Sequence, residues 1–348
     1  MDNVRRIEWI DTCKGVAMLL VILGHTMRTN LSLVYIYGFH MPLFFFLSGL
    51  VCDEKKYNWV SFLKSRFNTL IIPYVAFYLL TWLYWLFVER SFRPLGMEWW
   101  QPLIGMVYGA QWNGFMDHNG ILWFLPCLFM TEVLFFAVKK LSKQWLQLLM
   151  VLLLACTGFS FQTNLPWCIN IACVALQFFF VGNLLRVQLL NNPANKIVVS
   201  MLVFLVASAA YILLSAYWLN HVNMATNDYG NIVIFELLAF LGVIGFVYTF
   251  KTLSCFSFNG VGYFGRNTLV IFALHQPILR IVRFVGEKII SPFPVETNLS
   301  YALLADAIVV LCLIPLIWFY NKYGLPVLKK LYIYDRLQGK NGNACPFV

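Results

Sequence analysis

Charged residues are scarce in this chain. Asp, Glu, Lys and Arg supply 11% of its 348 residues, where a soluble globular domain carries about 25%. That deficit excludes a soluble enzyme or binding module. No hydrophilic stretch is long enough to build a second domain. No CxxC pair occurs, and the nine cysteines are odd in number and scattered through apolar runs, so neither a disulfide framework nor a zinc site is expected. They read as small core residues. No internal repeat is visible, although repeats mark many transporters. No small-residue cleavage site follows Arg5 and Arg6, so the first apolar run reads as an uncleaved helix rather than a signal peptide.

What the chain has is apolar surface, at 61% hydrophobic residues. Ten apolar segments of spanning length run roughly over 11–29, 32–51, 68–88, 121–138, 145–160, 166–188, 197–219, 231–250, 268–286 and 299–320. The expected fold is all-α: a polytopic membrane protein with about ten transmembrane helices, one domain over 5–330 and a polar tail over 331–348. Most of the 25 basic residues fall on one side if the N-terminus is cytoplasmic, including Arg5, Arg6, Lys55, Lys56, Lys64, Arg66, Lys139, Lys140, Lys143, Arg186, Lys196, Lys251, Arg266, Lys329 and Lys330. This asymmetry puts both termini in the cytoplasm. It also accounts for the net charge of +10 without nucleic acid, which needs a clustered basic face. The longest outer loop, 89–120, carries Trp99, Trp100 and Trp112, which suit the membrane interface and could also stack on sugar rings.

The first span, "WIDTCKGVAMLLVILGHTM", holds Asp11, Lys14 and His25. Ionisable groups are costly in hydrocarbon and are usually kept there for function. Helical spacing sets all three on one stripe, with His25 about 16 Å beyond Lys14. The second span, "FHMPLFFFLSG", brings His40 to a comparable depth. A neutral imidazole is a candidate general base, and equally a hydrogen-bonding link between helices. Lys14 is either an anion contact at an inner mouth or a lysine reaching the headgroups. Asp11 could pair with Lys14 or Arg66, or cap its helix. Arg66 also fits the topology signal, Pro73 could kink span three, and Ser48 and Gly49 suit close helix packing. Trp123 suits an interface anchor. His275 in "ALHQP" suggests locally broken helix beside a cavity, and Arg280 and Arg283 could reach the headgroups. Glu132, Glu236 and Asp306 lie within spans and need partners.

In these residues the sequence resembles the acyltransferase 3 family of membrane O-acyltransferases, near its fucose 4-O-acetylase-like branch. The family pattern is a basic residue, ten residues, then His, which Lys14 and His25 match. "DTCKG" resembles the family's "DGLRG", with lysine in place of arginine. His40, Pro42, Phe45 and Ser48 match the second-span motif, and "SRFNTLIIPY" supplies Arg66 and Pro73. "LWFL" and "NTLVIFALHQP" supply Trp123 and His275. The resemblance spans roughly residues 5–330 and implies transfer of an acyl group, commonly acetyl from acetyl-CoA, to a hydroxyl of a carbohydrate or glycan, possibly lipid-linked. It implies His25 as base with Asp11 and His40 in the catalytic set. Lys14, Lys64, Arg66 and Ser48 would hold the acyl-CoA, and His275, Trp123 and His118 the acceptor. No metal is implied. The setting would be the cell membrane of a bacterium, and a homo-oligomer is allowed. The alternative is a transporter or flippase of a polar or glycan substrate.

Overall fold

The computed structural model describes residues 7–191, 197–217, 222–255 and 258–326. The predicted tail over 331–348 lies outside the described residues, as do Arg5, Arg6, Lys196, Lys329 and Lys330 of the topology argument. Among the described residues every regular element is helical, and pairing of the β type is limited to one isolated bridge, Asn223–Asp228. In chain order the helices are α1 (Glu8–Thr26), α2 (Asn30–Tyr37), α3 (His40–Val51), α4 (Trp59–Arg66), α5 (Ile72–Phe87), α6 (Gln101–Tyr108), α7 (Phe124–Val138), α8 (Gln144–Ser160), α9 (Ile169–Leu184), α10 (Arg186–Asn191), α11 (Ile197–Tyr217), α12 (Ile232–Thr252), α13 (Asn259–Arg266), α14 (Thr268–Ile289) and α15 (Leu299–Phe319).

Among the described residues seven helical stretches are long and apolar enough to cross a membrane: Val34–Val51, Trp59–Phe87, Gly120–Val138, Pro166–Leu184, Ile232–Thr252, Thr268–Ile289 and Leu299–Gly324. α8 and Met201–Ser215 are apolar but shorter. Starts are set by local chemistry. Asn231 and Asn298 accept the first free N–H groups of α12 and α15, and Asn58 forms a capping box with Ser61 at α4. Pro73 does not end its helix. A π-helical turn, Phe67–Ile71, joins α4 to α5 just before it.

Two expectations change. The second span bends at Gly38–Phe39, a turn inside the stretch Val34–Val51 that divides it into α2 and α3, with His40 opening the second of them. The ninth is unbroken: α14 runs through Pro277 to Ile289. Proline removes the N–H that would bond the carbonyl four residues back, which here belongs to Ala273. The Asn119 amide takes that carbonyl instead, at 2.9 Å. The helix stays whole because a loop supplies its missing donor.

The bundle is knit by glycines at backbone contacts. α3 and α9 cross where a Cβ on Gly49 would sit 1.9 Å from the Phe179 carbonyl oxygen, and one on Gly182 2.1 Å from that of Phe46. α1 and α13 meet at Gly265, whose Cβ would fall 1.7 Å from the Asp11 carbonyl oxygen, and at Gly15 against Val261. Small residues permit such approaches. Gly49→Ala is expected to destabilise the protein by about 1–3 kcal/mol, because two helices must part to admit one methyl. Thermal melting in detergent measures this, and an unchanged melting temperature would show that the crossing is loose.

The acids inside spans all have partners. Glu132 on α7 pairs with Arg66 at 2.8 Å, with both side chains almost wholly buried. Glu236 on α12 accepts from Gln177 on α9 at 2.5 Å, and Asp306 on α15 accepts from Thr26 at 2.5 Å. Trp99, Trp100 and Trp112 stay exposed, as interface residues must. Trp123 does not anchor at the interface. It is 4% exposed and packed within the protein beside Phe124, in the short helix Gly120–Trp123 that leads into α7.

Candidate functional site

The end of α1 brings three imidazoles together. His25 lies in its last turn, half-buried. Its ring centroid is 5.3 Å from that of His275 on α14. Tyr37, at the end of α2, joins it to His40. The Tyr37 hydroxyl is 3.4 Å from His25 Nδ1, and the Tyr37 ring is 4.9 Å from the His40 ring. His40 and His275 are buried.

Backbone carbonyls fix two of the tautomers. His40 Nδ1 is 2.8 Å from the Ile36 carbonyl, and His275 Nδ1 is within 3.0 Å of the Ile271 and Phe272 carbonyls. A carbonyl only accepts, so each Nδ1 carries the proton and each Nε2 offers a lone pair. His275 Nε2 has no partner. His40 and His275 can thus accept a proton on Nε2, and His25 on whichever nitrogen its tautomer leaves bare, from a hydroxyl placed among them.

The frame around His25 is also fixed. Arg283 donates to the His25 carbonyl at 2.8 Å and the Thr26 carbonyl at 2.9 Å, while pairing with Glu296 at 3.1 Å. The Thr26 hydroxyl is held by Asp306. Arg283 therefore turns inward to satisfy the carbonyls that a helix end leaves free instead of reaching for headgroups. Arg280, one turn earlier, does the same. It pairs with Glu89 at 3.2 Å and donates to the carbonyls of Asp117 and His118. Glu89, fully buried, also pairs with Arg93. This network seats the segment around His118 against α14. His118 is 1% exposed, with its ring edge-on to Tyr78 at 4.5 Å. Burial, with Arg280 nearby, pushes its pKa down to about 3, so the ring is neutral at physiological pH.

The opposite end of α1 holds the basic residues. Lys14 is buried there, and Asp11 lies 3.9 Å from Arg266 on α13. Asp11 is fourteen residues from His25, about 21 Å along the helix, so it sits with the rim and not with the imidazoles. Arg66 is neither Asp11's partner nor open to solvent. It is enclosed by Glu132, Phe62 and Tyr57. Lys64 is exposed. Ser48 is buried and donates to the Phe44 carbonyl within its own helix. Between rim and imidazoles lies an apolar cavity of about 40 Å³, lined by Met18, Met41, Phe44, Leu70, Phe124 and Phe272, with Thr69 and Thr268 also on its wall. The Phe272 ring is 6.4 Å from that of His275. Among the described residues no group of three His, Cys, Asp or Glu side chains is placed to hold a metal.

The structure thus gathers His25, His40 and His275, and sets Asp11, Lys14, Lys64 and Arg66 apart from them. Tyr37, Glu89 and Asn119 were not singled out by sequence, and Arg283 was singled out only as a headgroup contact. A tyrosine is inconspicuous in a chain that is 18% aromatic, and Glu89 meets Arg280 only across 191 residues of sequence.

No curated protein and no solved structure matches the chain. The acyltransferase 3 family model, described as an acyltransferase domain, matches residues 7–319. That match takes in α1, α14 and every ring of the histidine cluster, and the chain belongs to the acyltransferase 3 family of membrane acyltransferases.

Proposed function

We propose that this chain is an integral-membrane O-acyltransferase that moves an acyl group, most simply acetyl, from acyl-CoA to a hydroxyl of a carbohydrate or glycan. The observation that carries this reading is the meeting of His25 with His275, and through Tyr37 with His40, at one end of α1, with Lys14 toward the other end. Coenzyme A is polyanionic and made in the cytoplasm. Its phosphates suit the rim of Lys14, Lys64 and Arg66, and its pantetheine arm is thin enough to follow the apolar cavity once that widens. His25 takes the proton of the acceptor hydroxyl as its oxygen attacks the thioester carbonyl. The tetrahedral intermediate collapses, the carbon–sulfur bond breaks, and the proton passes to the leaving thiolate. The N-terminus of α3 lies at His40, where its positive dipole end favours the developing oxyanion.

The helices that coincide with the ten apolar segments give ten spans in this reading, with both termini in the cytoplasm and the chain in a bacterial cell membrane. The motifs favour the fucose 4-O-acetylase-like branch. The test is purified protein given radiolabelled acetyl-CoA with and without a glycan acceptor. Acceptor-dependent transfer of label with release of free coenzyme A is the expected result. Label that stays on coenzyme A with every hydroxyl acceptor and every acyl donor tried would defeat the reading.

A further inference from the structure

A helix end leaves its last carbonyls without helical partners, and at the end of α1 each one has a donor. The Leu23 carbonyl keeps the Met27 N–H at 2.8 Å. Arg283 takes the His25 and Thr26 carbonyls. The Arg28 N–H, which would continue the ladder to Gly24, bonds the Glu296 carbonyl instead at 3.0 Å. The Gly24 carbonyl falls to Tyr37, whose hydroxyl donates to it at 3.5 Å. Glycine at 24 admits that approach, since a Cβ there would sit 3.2 Å from the Tyr37 ring and from the Ile36 side chain. The bend at Gly38–Phe39 ends α2 at Tyr37 and starts α3 at His40. The Tyr37 ring therefore lies edge-on to both imidazoles, its centroid 6.1 Å from that of His25 and 4.9 Å from that of His40.

The Gly24 contact bears on a proton one step away. A hydroxyl carries one proton and accepts through its lone pairs, whereas a carbonyl only accepts. With the Tyr37 proton on the Gly24 carbonyl, the Tyr37 oxygen meets His25 Nδ1, 3.4 Å away, as an acceptor. The reverse arrangement, with Tyr37 donating to Nδ1, takes the donor from the carbonyl of a buried residue, and buried carbonyls are nearly always paired. Both contacts of the hydroxyl are long, as catalytic hydrogen bonds often are before substrate binds.

We infer that Tyr37 is a positioning residue: anchored on the Gly24 carbonyl, its hydroxyl accepts the Nδ1 proton of His25 and leaves Nε2 bare for the acceptor hydroxyl. His40 and His275 reach the same form directly, through the Ile36 and Ile271 carbonyls; in His25 the carbonyl acts through one intervening hydroxyl. The role in catalysis rests on the acyl-transfer reading, and the tautomer does not. In that reaction the acceptor O–H bond breaks, its proton joins Nε2, and the imidazolium keeps its Nδ1–H on Tyr37. The proton leaves again from Nε2 to the coenzyme A thiolate, which restores the starting form. A ring that holds its proton on Nε2 presents a donor where a base is needed.

The test is nitrogen NMR of the full chain in detergent at mildly alkaline pH, with isotope-labelled histidine and the His25 signals identified by their absence in His25→Gln. Wild-type His25 shows its proton on Nδ1. Tyr37→Phe keeps a ring against His40 and removes the hydroxyl, and it moves His25 to the Nε2–H form or to a mixture of the two. His40 and His275 hold their tautomers in that variant and so report an intact fold. Transfer from labelled acetyl-CoA slows about tenfold, the contribution of one hydrogen bond, with the loss in kcat and the KM for acetyl-CoA unchanged. Wild-type His25 protonated on Nε2, or a His25 tautomer that Tyr37→Phe leaves in place, overturns the inference. So does transfer by Tyr37→Phe at the wild-type rate, and the acyl-transfer reading then stands. A tautomer that moves as expected in a chain that transfers no label keeps the hold of Tyr37 on His25 and defeats the acyl-transfer reading instead.

Discussion

His25→Ala is expected to slow acyl transfer by about 10²–10⁴-fold, the usual contribution of a positioned general base. At about 1.4 kcal/mol per decade this is a loss of roughly 3–5 kcal/mol of transition-state stabilisation. Donor affinity should stay within about twofold of wild type, because Lys14 stands about 16 Å away along α1. The measurement is single-turnover transfer from radiolabelled acetyl-CoA, beside coenzyme A binding by calorimetry. His40→Ala and His275→Ala belong in the same experiment. Groups that act as a unit are grossly non-additive, so a double variant no slower than His25→Ala alone would identify one shared proton-transfer step. Wild-type turnover by His25→Ala would move the base to His40 or His275, both of which present a lone pair on Nε2.

The second large effect concerns stability. Glu132→Ala leaves Arg66 buried and without its carboxylate, and breaking a buried pair from one side costs about 3–5 kcal/mol. Replacing both, as Arg66→Met with Glu132→Leu, should recover most of that loss, since a buried pair gains little over apolar residues of similar size. Melting temperatures of the wild type and these two variants in detergent make the comparison. Equal stability of Glu132→Ala and wild type would show that water reaches the pair. The double variant also separates two roles for Arg66. If its guanidinium holds donor phosphate as well as Glu132, the stable double variant binds acetyl-CoA more weakly; if its work is structural, affinity is unchanged.

Much of the architecture was legible because hydrocarbon enforces it. Apolar segments must be helices, and the segments marked from sequence coincide with helices seen here. His25, His40 and His275 stood out for the same reason: an imidazole in an apolar run is conspicuous. Their partners did not stand out. Tyr37 resembles any other tyrosine, and Glu132 gives no sign that it faces Arg66 rather than water. The bend before His40 was missed because α2 and α3 read as one apolar run, with Gly38 as the sole local signal. Pro277 misled in the opposite direction. A proline predicts a broken helix when only the helix is considered, and the remedy came from Asn119, 154 residues from the Ala273 carbonyl that it bonds. Arg280 and Arg283 were misjudged likewise, since a terminal arginine looks the same whether it reaches lipid or caps a neighbour.

That borrowed amide makes the segment around His118 and Asn119 a latch on α14. α14 is complete only while Asn119 is seated, and lifting the segment strands a bare carbonyl beside His275 where water is scarce. Losing such a bond costs about 1–3 kcal/mol, enough to make an unlatched state some 5–150 times rarer than it would otherwise be. Any displacement of that segment must therefore work against a bond that re-forms unaided.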